Sequence, residues 1–189
     1  MLNKNNFFKN FTLNLNKTKK AYQSLKTDLK NFEIPELNSY DKSYDLDFSS
    51  MTIKKFSKYN NIVIIGMGGS ILGAKSIYSY FKKKIKKKIF FFDNLDENLY
   101  LNFKKLKNFK SSCFIVVSKS GNTIETISNF DIILSKLNLK NRLVIITEIK
   151  NNGLMRIANK FNAEIIEHKN YIGGRYSVLS ESGMFPAAL

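Results

Sequence analysis

Five short apolar runs alternate with helical stretches from residue 61 onward, and this alternation constrains the fold more than any other feature of the chain. The runs are continuous rather than alternating, which is typical of strands that are buried on both faces of a sheet. Strands separated by helices at this spacing predict an α/β fold, a three-layer α/β/α sandwich around a parallel sheet with right-handed crossovers. The predicted strands are Ile62–Ile65, Ile89–Phe92, Cys113–Val117, Leu143–Ile146 and Glu164–Ile166.

The region before residue 59 has a different pattern. Residues 15–32 place apolar side chains on one face of a predicted helix, and Pro35 ends it. An acidic irregular segment through Asp47 and a short helix around Met51–Phe56 follow. We therefore expect residues 1–58 to form a helical lead-in that packs on the core, and residues 59–189 to form the α/β domain. The apolar positions of the first helix are Leu15, Ala21, Tyr22, Leu25 and Leu29.

The formal net charge of +16 suggests an anionic partner, but the kind of basic residue that supplies this charge argues against nucleic acid. The excess is almost entirely lysine, whereas nucleic-acid readers depend on arginine for bidentate contacts. The run Lys82–Lys88 has only Ile85 between its lysines and no aromatic residue. We expect a solvated basic surface, no nucleic-acid partner and no membrane partner; salt-sensitive binding to unrelated DNA would support the alternative. A cytoplasmic location is expected, since the single Cys113 cannot form an intrachain disulfide.

The first predicted strand ends in the glycine-rich turn Gly66-Met67-Gly68-Gly69-Ser70. Such turns let a ligand approach the backbone, and the amides of the following helix favour an anion. A dinucleotide fingerprint would require glycine where Ile71 stands, and a P-loop would require lysine where Ala74 precedes Lys75. The turn is thus an anion-site candidate of neither type, and a glycine-rich turn without a ligand remains the alternative.

Two further loops follow the third and fifth strands. The first loop has the sequence Ser118-Lys119-Ser120-Gly121-Asn122-Thr123, with three hydroxyl groups and a lysine where a helix begins. These groups are suited to binding a phosphate. The alternative is that one of the hydroxyls only caps the helix. The second, residues 171–177, places Arg175 directly after Gly173 and Gly174, with a helix expected from about Ser177. Arginine suits a carboxylate, phosphate or enediolate, or forms a surface salt bridge. Carboxyl ends of parallel strands share one sheet edge, so we expect these loops near each other.

The three stretches GMGGS, SKSGNTIET and GGRYSVLSESG resemble, in the same order, those of the glucose-6-phosphate isomerase family. The resemblance covers roughly residues 61–189 and implies a sugar isomerase (SIS) domain, with a five-stranded parallel sheet in flavodoxin-like order. It further implies aldose–ketose isomerisation of glucose 6-phosphate and fructose 6-phosphate, no metal or other cofactor, and a homodimer in the intact family. The implied roles are phosphate binding by Ser118, Ser120 and Thr123 with Lys119 and Thr126 nearby, sugar contact by Gly69 and Ser70, and enediolate stabilisation by Arg175.

The chain also departs from the family pattern. Ile71 replaces a usual acidic residue, and Asn122 stands where many members have threonine. Members normally contain two SIS domains, and their general base (a glutamate), ring-opening histidine and a late lysine lie beyond the GGRYS motif. We therefore expect a truncated or split reading frame without the second SIS domain.

The glutamates and the histidine of this chain are poor substitutes for the family's general base and ring-opening histidine. Glu125 and Glu181 are poor candidates for the base, and His168 is expected to be a surface or strand-end histidine. We expect the chain to bind sugar phosphate and to isomerise it negligibly. A non-enzymatic SIS sugar-phosphate-binding or regulatory module is the alternative, and it predicts a fused helix-turn-helix segment.

Overall fold

The computed structural model describes residues 15–31, 34–97, 101, 111–134, 139 and 141–189. A five-stranded parallel sheet forms its centre. Its strands, counted along the chain, lie side by side in the order second, first, third, fourth and fifth, which is the predicted flavodoxin-like order. Every strand begins and ends within one residue of its predicted run, because these runs are rich in β-branched and aromatic residues that favour strands. The strands are β1 (Asn61–Gly66), β2 (Lys88–Phe92), β3 (Ser112–Val117), β4 (Leu143–Thr147) and β5 (Glu164–Glu167).

Helices cover both faces of the sheet and complete the predicted three-layer sandwich. Phe56, Ile71 and Phe185 bury the helices Ser50–Ser57, Gly69–Phe81 and Glu181–Ala188 against one face, and Phe130 and Leu154 bury the helices Ile124–Leu134 and Gly153–Phe161 against the other. None of the helices in the described part of the chain is long and apolar enough to cross a membrane. The described helices are α1 (Leu15–Lys30), α2 (Ser50–Ser57), α3 (Gly69–Phe81), α4 (Ile124–Leu134), α5 (Gly153–Phe161) and α6 (Glu181–Ala188), with 3₁₀ helices at Pro35–Tyr40 and Gly174–Leu179.

The lead-in follows the prediction in its local structure. Helix α1 ends at Lys30, while its predicted end at residue 32 lies outside the described residues, as do residues 1–14. On the predicted apolar face, Tyr22 is 66% exposed and Leu25 is 42% exposed. Helix α2, by contrast, buries Phe56 in the core. That residues 1–58 pack on the core as one unit stays a prediction.

The helix expected from about Ser177 begins four residues later, at Glu181, after a 3₁₀ helix. The hydroxyl of Ser177 donates to the Gly174 carbonyl at 2.8 Å, and the hydroxyls of Ser180 and Ser182 donate to the Ser177 carbonyl at 3.0 and 2.9 Å. Serine hydroxyls compete in this way with backbone donors for carbonyl oxygens, which delays a regular helix. The expectation of a helix start at Ser177 was therefore wrong.

Candidate functional site

Strands β1 and β3 are neighbours in the sheet, and the chain continues from β1 to β2 on one side and from β3 to β4 on the other. Their carboxyl ends therefore lie at the switch point of the strand order. Helix α3 follows β1 on one face, and α4 follows β3 on the other. Gly66 pairs with Val117 at this end, and a Cβ on Gly66 would lie 2.9 Å from the Val117 carbonyl oxygen. Open α/β sheets bind ligands at such a switch point. The glycine turn (residues 66–70) and the hydroxyl loop (residues 118–123) therefore leave the sheet side by side.

The glycine turn changes from strand to helix within three residues. Gly68 has a φ of +54°, which only glycine adopts readily, and its carbonyl accepts from the amides of Ile71 and Leu72 at 3.1 and 3.0 Å. Helix α3 thus begins at Gly69. Ile71, which stands where the family usually has an acidic residue, is fully buried and packs in the core.

Hydrogen bonds within the hydroxyl loop hold its side chains close together. The hydroxyls of Ser118 and Thr123 lie 2.9 Å apart, and the Ser118 hydroxyl also accepts from the Gly121 amide at 3.2 Å. The Ser120 hydroxyl accepts from the Asn122 amide at 3.3 Å, and Ser120 is exposed. Because the first amides of any helix have no intrahelical partner, the start of α4 directly after this loop adds donors suited to an anion.

Two residues predicted to lie near a bound phosphate have other neighbours. The Lys119 ammonium donates to the Asn170 carbonyl at 2.6 Å and lies 3.8 Å from the Glu148 carboxylate. Thr126 is fully buried, and its hydroxyl has no hydrogen-bond partner among the residues that the structure describes. Contact of either side chain with a ligand stays a prediction.

The segment after β5 returns across the carboxyl edge of the sheet to the glycine turn. At the β4–β5 side the His168 amide donates to the Thr147 carbonyl at 2.9 Å. At the β1 end a Cβ on Gly69 would lie 2.3 Å from the carbonyl carbon of Gly174 and 2.8 Å from the Arg175 amide nitrogen. Backbone therefore contacts backbone there, and the exposed Arg175 stands next to the turn. All three predicted loops meet at one edge.

Two residues of the lead-in, Tyr44 and Asp47, bind Glu181 in the segment that follows Arg175. The Tyr44 hydroxyl donates to the fully buried Glu181 carboxylate, with its oxygen 2.8 and 2.9 Å from the two carboxylate oxygens, and the Asp47 amide donates to the same group at 3.3 Å. Burial and the Glu181 carboxylate raise the pKa of Tyr44 far above its usual range, in keeping with a phenol that stays protonated and donates to this carboxylate. A buried carboxylate committed to these donors is not available to a substrate.

His168 follows directly after β5, which is the strand-end position of the prediction, and it is fully buried. Its Nδ1 lies 3.2 Å from the Lys169 carbonyl oxygen, while its Nε2 has no hydrogen-bond partner within the described part of the chain. Burial lowers the pKa of His168; the Lys169 backbone and the Glu181 and Glu148 carboxylates raise it to a smaller extent, and Lys119 lowers it further. The ring is therefore a neutral packing group at pH 7.

The buried His168 makes the stability of the protein depend on pH. The unfolded chain takes up a proton near pH 6.5 and the folded chain only at lower pH, so the free energy of unfolding falls as the pH drops below about 6.5. The slope approaches about 1.4 kcal/mol per pH unit for one proton. Urea unfolding between pH 7.5 and 5.5 measures it.

His168→Gln is the control for this slope, because the chain contains a single histidine. The variant is expected to flatten the dependence between pH 7.5 and 5.5, where carboxylates with ordinary pKa values stay ionised. Equal slopes for the two proteins would contradict a buried, neutral His168.

Solved structures with a similar fold define the class of domain. The chain aligns with a hypothetical protein from Thermus thermophilus with a TM-score of 0.66 and 26% identity, covering 72% of this chain and 34% of that one. It also aligns with the sugar isomerase domain of an RpiR transcription factor from Sphaerobacter thermophilus, with a TM-score of 0.55 and 12% identity, covering 86% and 88%. The fold is that of a sugar isomerase (SIS) domain.

Sequence comparison identifies the family within this class. The phosphoglucose isomerase family profile matches residues 36–189. Glucose-6-phosphate isomerase of Methanocaldococcus jannaschii is 40% identical over 138 residues, covering 70% of this chain and 33% of the relative. That of Borreliella burgdorferi is 31% identical over 179 residues, covering 88% and 33%. The chain belongs to the phosphoglucose isomerase family and spans about a third of the length of these relatives.

Proposed function

We propose that this chain is the sugar-phosphate-binding part of an isomerase that interconverts glucose 6-phosphate and fructose 6-phosphate. The observation that carries the proposal is the backbone contact between Gly69 and Gly174, which brings the exposed Arg175 to the sheet edge that holds the hydroxyl loop. Membership of the phosphoglucose isomerase family supports this substrate and reaction. The likeness to an RpiR regulator concerns the fold alone, so a regulatory module has weaker support.

The proposed roles are those that the resemblance to the family implies, and the chemistry of the side chains suits them. The hydroxyls of Ser118, Ser120 and Thr123, with the first amides of α4, bind the phosphate, and the turn at Gly69 and Ser70 lies along the sugar. Aldose–ketose isomerisation moves a proton between C1 and C2 through an enediol. Arg175 stabilises the negative charge that develops on its oxygens. The phosphate acts as a remote anchor whose binding energy orients the reacting carbons.

The general base is proposed to come from polypeptide outside these 189 residues. Glu181 and His168 are both fully buried, and the Glu181 carboxylate already accepts from Tyr44. Neither group is exposed to a substrate at the sheet edge. The burial of these two groups supports the expectation that the isolated chain isomerises sugar phosphates negligibly while it binds them, and no metal or other cofactor has a role in this proposal. Homodimer formation stays a prediction.

Calorimetric titration of the purified chain tests this proposal. Glucose 6-phosphate and fructose 6-phosphate are expected to bind, and unphosphorylated glucose is not. A phosphorylated aldonate, whose planar carboxylate resembles the enediolate, tests Arg175: Arg175→Ala should weaken its binding about tenfold or more, since charge-assisted hydrogen bonds contribute roughly 1.5–3 kcal/mol. Binding of glucose 6-phosphate should change less.

Arg156→Ala is the matched control, because it removes an exposed arginine from α5 with the same change in net charge. Equal losses for the two variants would contradict the role of Arg175. Failure of both sugar phosphates to bind would contradict the proposed site. Turnover of about 1 s⁻¹ or faster, which is typical of enzymes, would contradict an external base.

A further inference from the structure

A residue outside all three motifs contacts the hydroxyl loop. Asn152 precedes α5 and is 2% exposed. Its Oδ1 accepts from the Met155 amide at 2.8 Å, and its Nδ2 donates to the Thr147 hydroxyl at 3.3 Å and to the Glu148 carbonyl at 3.1 Å. Both ends of the carboxamide are thus engaged, which gives the side chain a single orientation.

The Asn152 side chain lies directly against the α-carbon of Gly121. A Cβ on Gly121 would be 2.1 to 2.6 Å from the three terminal atoms of Asn152, and Gly121 has a φ of +69°. The start of α5 also binds the loop: the Leu154 amide donates to the Gly121 carbonyl at 3.0 Å, and the Gly153 amide donates to the Asn122 side-chain oxygen at 2.8 Å. The loop and the start of α5 therefore pack as one unit.

A second connection runs through Thr147. Its hydroxyl, which accepts from Asn152, donates to the Lys119 carbonyl at 3.3 Å, and the Glu148 amide donates to the same carbonyl at 3.1 Å. Asn152 is thus linked to the loop on both sides of Ser120, through Lys119 and through Gly121.

From these contacts we infer that Asn152 is a positioning residue for the phosphate-binding loop, an inference that rests on the proposed function for the identity of the ligand. Helix capping explains only the bond from the Met155 amide, which serine or aspartate would also accept. The two bonds donated by Nδ2 and the close packing on Gly121 require a carboxamide. A loop held in its binding conformation loses less conformational entropy when the phosphate binds.

Asn152→Ser tests this inference in the full 189-residue chain, because serine keeps a capping oxygen and loses the Nδ2 donor. We expect glucose 6-phosphate to bind at least about fivefold more weakly, the factor that corresponds to the net contribution of one hydrogen bond. We also expect the Leu154 amide, which binds Gly121, to exchange with solvent about tenfold faster or more, measured by NMR. Asn152→Thr, which also keeps a capping oxygen and adds no charge, takes its place if the serine variant does not fold.

Asn162→Ala is the matched control at the other end of the same helix. Asn162 directly follows α5 as its C-cap, in the left-handed region at φ +49°, so alanine destabilises the helix without touching the loop. Its affinity for glucose 6-phosphate and the exchange of Leu154 should remain as in the wild type. Equal effects of Asn152→Ser and Asn162→Ala, or no effect of Asn152→Ser, would overturn the inference. If the wild type binds no sugar phosphate, the proposed function fails, and the exchange of Leu154 still decides whether Asn152 holds the loop.

Discussion

Replacing Gly69 by alanine is expected to force the glycine turn away from the Gly174–Arg175 backbone and to weaken sugar-phosphate binding. The new Cβ would lie 2.3 and 2.4 Å from the carbonyl carbon and oxygen of Gly174, and backbone atoms cannot rotate aside as a flexible side chain does. Overpacking of this kind costs about 1–3 kcal/mol of folding free energy, which exceeds the gain of at most about 1 kcal/mol from the higher helix propensity of alanine. Urea unfolding measures the loss of stability, and calorimetric titration with glucose 6-phosphate measures the loss of affinity.

Gly174→Ala is the control for this prediction, because it adds a methyl group to the other side of the same contact. Its Cβ would meet only the Gly69 α-carbon, at the ordinary distance of 3.9 Å, so we expect a change in stability within about 0.5 kcal/mol. A Gly69→Ala protein with the stability and affinity of the wild type would show that the two backbones do not touch. The junction of the glycine turn with Arg175 would then be incorrect.

Ser120→Asp is expected to abolish most sugar-phosphate binding while leaving the fold intact. Ser120 is exposed, and a carboxylate there can still accept from the Asn122 amide as the serine hydroxyl does. The added negative charge would face a phosphate dianion at the loop. For a solvent-exposed pair we expect a penalty on the order of 1–3 kcal/mol, and therefore binding at least about fivefold weaker. Titration with glucose 6-phosphate at low and high salt measures it.

Ser120→Asn has nearly the same shape as the aspartate variant and no charge. We expect its affinity to stay within about threefold of the wild type, and the difference between the two variants to shrink as salt screens the repulsion. Equal affinities of the aspartate and asparagine variants at low salt would place the phosphate elsewhere.

Much of this site was predictable from local sequence. The hydroxyl loop and the glycine turn follow neighbouring strands, and the parallel direction of those strands puts both at one edge. Local sequence also contained a signal for Asn152, since asparagine before a helical stretch is a favoured cap. What could not be read from that signal is the contact with Gly121, because Asn152 follows a different strand and the two meet only when β3 and β4 pair.

The sequence by itself determined the class of fold and the three loops, because buried strands need continuous apolar runs and sharp turns need glycine, and both are local requirements. Only the tertiary structure decided that Gly69 touches Gly174 and that His168 is buried. It also decided that Tyr44 donates to Glu181 and that Asn152 lies against Gly121. These contacts join residues that are distant along the chain. They depend on the strand order and on the return of the chain across the sheet edge after β5, and no local pattern specifies either of these.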